Sequence, residues 1–160
     1  MKRFRKNIFE TNSSSTHSFT IENGSYEIKP EIKPDWYAEF GWQWENWSSP
    51  EEKLAYICRC LLSYEYYYKS DDEEEWEEDR LNENIKRILT PFQERLANLG
   101  VKFEIPTHKD LEKGYVDHAD WYQEEIEEII ETDDELLNFL FNYDCEINGG
   151  NDNDSFFLNY

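Results

Sequence analysis

Beyond Lys113 the sequence contains neither lysine nor arginine. Residues 124–154 carry twelve carboxylates and no cation: Glu124, Glu125, Glu127, Glu128, Glu131, Asp133, Asp134, Glu135, Asp144, Glu146, Asp152 and Asp154. A segment this negative repels phosphate, which argues against direct DNA or RNA binding by that part of the chain. Long apolar runs are also missing. The basic residues Lys2, Arg3, Arg5 and Lys6 are followed by a polar stretch over 7–18, so neither a signal peptide nor a membrane span is expected. Cysteine is scarce: Cys58, Cys60 and Cys145 are odd in number, and two residues apart on a helix Cys58 and Cys60 point different ways. Neither a disulfide framework nor a zinc site follows from that spacing, and inert thiols in a cytosolic protein are expected. The sequons at Asn12 and Asn46 then carry no glycan.

Aromatic side chains, by contrast, are abundant. At 17% of the sequence they supply large buried areas, so the net charge of -21 decorates a folded domain and not a disordered chain. The charge is uneven, -1 over residues 1–50, -6 over 51–100 and -14 over 101–160. A second acidic cluster, Asp71-Asp72-Glu73-Glu74-Glu75-Trp76-Glu77-Glu78-Asp79, places eight acids in nine positions. Such charge repels itself and bears on partners more than on fold.

The 160 residues fit one α+β domain, a small mixed sheet of N- and C-terminal strands packed with four to five helices. Residues 1–47 read as short strands, turns and an aromatic segment. Ser18-Phe19-Thr20-Ile21 alternates, Asn23-Gly24 signals a hairpin, and Tyr26-Glu27-Ile28 alternates again. Residues 48–100 read as helical. Ser49-Pro50-Glu51-Glu52 caps a helix through Leu54, Ile57, Leu61 and Leu62; a second carries Leu81, Ile85, Ile88 and Leu89; Thr90-Pro91-Phe92-Gln93 opens a third that ends at Gly100. Residues 101–160 begin with a strand over 101–105 and a loop over 107–121. Ile126, Ile129 and Ile130 follow at helical spacing, and Thr132-Asp133-Asp134-Glu135 caps a helix through Leu136, Leu137, Phe139, Leu140 and Phe141. Strands over 144–148 and 155–158 close the chain as a hairpin. There are no internal repeats.

The least ordinary segment is Glu10-Thr11-Asn12-Ser13-Ser14-Ser15-Thr16-His17-Ser18. Its hydroxyls and amide suit a nest of donors for phosphate, or a Ser–His pair for nucleophilic work. The plainer reading is a surface loop bonding to its own backbone. Asn7-Ile8-Phe9 together with that segment resembles the N-terminal signature of a group of phage and prophage-type proteins. Thinner echoes are Glu39-Phe40-Gly41-Trp42, Val116-Asp117-His118, Asn138-Phe139-Leu140-Phe141-Asn142 and Gly150-Asn151-Asp152-Asn153. The group's pattern departs after His118, where this chain continues Ala119-Asp120-Trp121. The resemblance implies a phage or mobile-element origin and one compact fold, and brings no activity with it.

An enzyme or a phosphate- or nucleotide-binding protein can be built from Asn12, Ser13, Ser14, His17, Asp117, His118 and Asp152 if their loops converge, since two imidazoles and two carboxylates can act as acid and base or hold a divalent ion. No metalloprotease motif, P-loop, dinucleotide fingerprint or nucleophile elbow supports it, so no catalytic residue, metal or cofactor is expected. His108 follows a Pro-Thr turn and needs no role.

The acidic segments weigh nearly evenly between solubility and mimicry of nucleic acid. Carboxylates three and four apart on a helix lie about 5–6 Å apart, the scale of phosphates along a strand. Glu124, Glu127, Glu128 and Glu131 fit one such face, opposite Ile126, Ile129 and Ile130. The expected partner surface adds Asp134, Glu135, Asp72, Glu75 and Asp79, with Trp42 and Trp44 as anchors from the aromatic stretch Trp36, Tyr37, Phe40, Trp42, Trp44, Trp47. Tyr64, Tyr66, Tyr67 and Tyr68 are likewise too many for one buried stripe. The phage resemblance tips the balance towards a non-enzymatic inhibitor acting in the host cytoplasm. Its target would be the basic groove of a host nucleic-acid-binding or defence protein such as a CRISPR effector. Self-association through the aromatics is a third possibility.

Overall fold

In a computed structural model, residues 2–4, 17–41, 45–67 and 78–150 are described. The architecture is α+β, with the N- and C-terminal strands in one sheet as expected. Strands β1 (Lys2–Phe4), β2 (Ser18–Ile21), β4 (Asn46–Trp47) and β6 (Glu146–Asn148) form an antiparallel sheet ordered β1-β2-β6-β4. Register places Phe19 opposite Ile147, and Ile147 opposite Trp47, a buried row across three strands. A separate parallel pair joins β3 (Glu39–Phe40) to β5 (Tyr115–Val116). Gly114 permits that approach, because a Cβ there would stand 2.4 Å from the Ala38 carbonyl oxygen.

Helix α1 (Pro50–Tyr67) is the axis of the core. Pro50 occupies the first turn, and Ser49 and Glu52 cap each other: the Glu52 amide donates to Ser49 Oγ at 3.2 Å, and the Ser49 amide to Glu52 Oε2 at 3.1 Å. Residues 53–60 are buried on every side, as befits a helix enclosed by neighbours. Helix α2 (Glu78–Asn98) instead buries one stripe, Ile85, Leu89, Phe92 and Leu96.

That stripe overturns the expected break at Thr90-Pro91. The helix runs through Pro91, and Thr90 Oγ1 donates to the Lys86 carbonyl at 2.6 Å instead of capping a new helix. An interior proline costs roughly 3 kcal/mol. Four apolar residues kept in phase across it bury enough surface to offset that cost, at ~1.5–3 kcal/mol each. The end at Gly100 is as expected: φ is +84°, with Val101 N–H donating to Leu96 and Gly100 N–H to Ala97, a Schellman closure.

Two expected strands are not formed. Residues 26–28 do not pair with β2, because β1 and β6 already occupy both of its edges. Residues 101–105 make a single bridge, Lys102 to Glu31, since Pro30 and Pro34 bracket the partner segment and can donate no ladder hydrogen bond. The closing strand expected over 155–158 lies outside the described residues.

After the short α3 (His108–Leu111) and a 3₁₀ turn (Ala119–Tyr122), helices α4 (Gln123–Ile129) and α5 (Asp133–Phe141) pack on α1. Thr132 and Glu135 form the expected capping box, Glu135 N–H donating to Thr132 Oγ1 and Thr132 N–H to Glu135 Oε2.

Candidate functional site

Packing of Ile126, Ile129 and Ile130 into the core turns Glu124, Glu127 and Glu128 of α4 outward, whereas Glu125 is half-buried with its Oε2 enclosed. Glu124, Glu127 and Glu128 are exposed as the spacing predicts. Glu131 is exposed too, but it does not continue the helical face. With Ile130 as C-cap, α4 has ended, and Thr132 starts α5 one residue later, so Glu131 stands on the turn. The sequence around this turn supplies no cation for the helix C-terminus. Arg95 of α2 does, donating to the carbonyls of Ile130 at 2.8 Å and Glu131 at 3.4 Å and pairing with Asp133 at 2.8 Å.

The acidic block is therefore sorted by structure. Asp133 is paired, Glu135 caps α5, and Glu127 accepts from the Gln123 amide at 3.0 Å. Glu78 pairs with Lys109 at 3.0 Å beside Asp79 in the exposed first turn of α2. The carboxylates of Glu128, Glu131 and Asp134 face solvent with no cation on them among the described residues. They line a groove of about 450 Å³ that the sequence did not reveal. The chain leaving β2 forms its other side through Ile21, Asn23, Gly24 and Tyr26, and Ile129 lies nearly buried in its floor. Asp72, Glu75, Trp42 and Trp44 fall outside the described residues, as does Tyr68. Of the remaining aromatic stretch, Phe40 and Trp47 are core and Trp36 is half-buried, whereas Tyr37 is 70% exposed under the Lys113 ammonium.

The alternative constellation is brought together in part. His17 lies within electrostatic reach of both Asp117 and His118. His118 adopts a left-handed conformation, φ 53°, and its Nε2 stands 3.6 Å from Asp117 Oδ1. Asn12, Ser13, Ser14 and Asp152 lie outside the described residues. His17 is not the loop side chain that the sequence suggests: it is 3% exposed, stacked on Tyr122 with ring centroids 4.8 Å apart. Its Nε2 faces the Gly41 carbonyl at 3.2 Å, an acceptor only, so the proton is assigned to Nε2. Nδ1 then accepts from the Tyr56 hydroxyl at 3.0 Å, and the His17 amide donates to the Tyr122 hydroxyl at 2.8 Å. Burial lowers its pKa from 6.5 to about 4, against opposing pulls from the Gly41 carbonyl and Asp117. Both ring nitrogens thus serve the fold, tying the start of β2 to α1 and to the loop after β3, while the His17 amide and the ring stack tie it to the 3₁₀ turn. Among the described residues no group of three or more His, Cys, Asp or Glu side chains is placed to hold a metal ion.

Sequence reasoning also missed the buried cations. Lys53 donates to the carbonyls of Asn142 at 2.9 Å and Cys145 at 3.1 Å, and burial lowers its pKa to about 8. Arg59 donates to the carbonyls of Leu111 and Trp36, each at 3.0 Å. For Arg59 the available signal was a charge whose neighbours on α1 are apolar or small; Lys53, following Glu51 and Glu52, carried no such signal.

Comparisons with protein-family models, with curated proteins and with solved structures find no match to the chain. Among the described residues no helix is long and apolar enough to cross a membrane.

Proposed function

We propose that this chain is a phage-encoded, non-enzymatic inhibitor of a host nucleic-acid-handling or defence protein, with CRISPR effectors as one class of target. It acts in the host cytoplasm by laying its acidic face on a basic groove. One observation carries the reading: among the described residues Glu128, Glu131 and Asp134 have no cation on them, and they are held on a packed helix–turn–helix whose far side is core. Carboxylates fixed on a rigid frame can steer association with a basic groove and compete there with the phosphates of its own ligand. The test is displacement of labelled nucleic acid from a purified CRISPR effector, by the native chain and by a variant with Glu124, Glu127, Glu128 and Glu131 changed to Lys. The native chain is expected to displace nucleic acid with strong salt dependence and the variant to fail. Equal displacement by both at every salt concentration refutes the reading.

A second reading, ligand binding near His17, is favoured by the approach of Asp117 and the left-handed His118 to it. It requires inorganic phosphate or a nucleotide to shift the NMR resonances of His118. An unchanged spectrum at saturating ligand removes it.

A further inference from the structure

We infer that the groove between the β2 exit and the α4–α5 turn receives a lysine- or arginine-rich segment of a protein partner that also carries an apolar side chain. The inference rests on the reading of the acidic face as a docking surface and adds to it the chemistry of what is docked. Nucleic acid is mimicked by charge alone, yet this surface is not only charge. Ile21 and Tyr26 are half-exposed on one side of the groove, Ile129 closes the floor, and the carboxylates of Glu128, Glu131 and Asp134 border it on the other. A side chain entering the groove meets apolar surface, while flanking cations meet carboxylates that have no cation of their own among the described residues. The charge complementarity therefore selects a basic segment, and the floor selects an apolar residue within it.

The groove is also held in shape from both sides. The Glu22 carbonyl accepts from the side-chain amides of Asn138 and Asn142, each at 2.9 Å, which pins the β2 exit to α5. The Thr132–Glu135 capping box and the Arg95 guanidinium fix the opposite turn. A preformed groove pays little ordering entropy on binding. A second hollow of about 410 Å³, lined by Leu61, Ile88, Phe92 and Ile130, lacks this complementarity, because Arg95 lies in it as well as Glu127 and Glu131.

The probes are two short helical peptides of equal positive charge, one with leucines along one face and one with those leucines replaced by glutamine. Calorimetry on the full chain is expected to show the leucine peptide binding at least ~10-fold tighter, since burying one such side chain is worth an order of magnitude or more. Tyr26→Ala with Ile21→Thr should bring that ratio to within ~2-fold without changing charge, and Tyr26→Phe should preserve it. Glu128→Gln with Asp134→Asn should weaken both peptides and leave the ratio intact. Equal binding of the two peptides, or a ratio insensitive to Tyr26→Ala in a folded variant, overturns the groove inference and leaves the acidic-face reading standing. If neither peptide binds at low salt, the acidic-face reading fails with it. Dimerisation in sedimentation that Tyr26→Ala abolishes would assign the groove to a second copy and also overturn the inference.

Discussion

His17 makes the stability of this domain depend on pH. In the unfolded chain the imidazole takes a proton near pH 6.5; in the folded chain burial holds it neutral to about 4. Its folded pKa is depressed, so the unfolded state binds more protons between those values. The stability is whole above pH 6.5 and is lost as pH falls through the window. A shift from 6.5 to about 4 corresponds to about 3 kcal/mol when complete, and about 2 kcal/mol is already gone at pH 5. Against a total of ~5–15 kcal/mol that loss is large.

Urea unfolding followed by tryptophan fluorescence measures it. With m near ~2 kcal/mol/M, the midpoint should fall by roughly 1 M between neutral pH and pH 5. His17→Gln keeps a donor and an acceptor but does not titrate. It should start less stable, having lost the stack on Tyr122, and show a flat midpoint over the same range. Below pH 5 protonation of carboxylates relieves the self-repulsion of a chain at -21 and works in the opposite direction, so the two effects separate along the pH axis. An equal fall in the native chain and in His17→Gln would refute the assignment, as would an NMR titration of the His17 ring with a midpoint near 6.5.

Two further predictions concern the helices. Pro91→Ala should stabilise by about 1–3 kcal/mol, because Pro91 is exposed inside a continuous α2 and has no N–H to give the helix; a lowered urea midpoint would contradict continuity of the helix. Thr132→Ala removes the reciprocal cap of α5 and should cost about 1 kcal/mol in the same assay, with no effect expected only if the cap does not form in solution.

Features written in a few adjacent residues were legible beforehand. The Ser49 cap, the Thr132–Glu135 capping box, the Gly100 stop and the isoleucines of α4 follow from spacing alone, because each is decided within one or two helical turns. The α+β class followed from strands flanking helices. What failed depended on distant partners. Thr90-Pro91-Phe92-Gln93 carries the local marks of a helix start, and only the buried stripe on both sides of it shows why the helix continues. Tyr26-Glu27-Ile28 alternates like a strand, but the edges of β2 were taken by residues 2–4 and 146–148. At the candidate site, the exposure of Glu124, Glu127 and Glu128 was readable from a 3.6-residue period. The groove beside them was not, since Ile21 and Tyr26 come from a segment more than a hundred residues away. His17 was misjudged for a similar reason. A histidine at the end of a hydroxyl-rich run looks solvated until Tyr56 and Tyr122 arrive from two other elements.

The same long-range bonding changes how the acidity should be understood. The chain has sixteen lysines and arginines for thirty-seven acids, yet Lys53, Arg59 and Arg95 direct donors at backbone carbonyls. Several acids are also committed elsewhere: Glu52, Asp110 and Glu135 cap helices, and Glu51, Glu78 and Asp133 hold the cations within reach. Among the described residues, the carboxylates left without cations include three that border a groove between the β2 exit, α4 and α5. If acidity served only to keep the protein dissolved, any exposed carboxylate would do, and neutralising Glu128 and Asp134 would matter no more than neutralising two acids on the exposed side of α2. A docking role requires the opposite, that loss of these two changes partner binding while an equal change of charge on α2 does not.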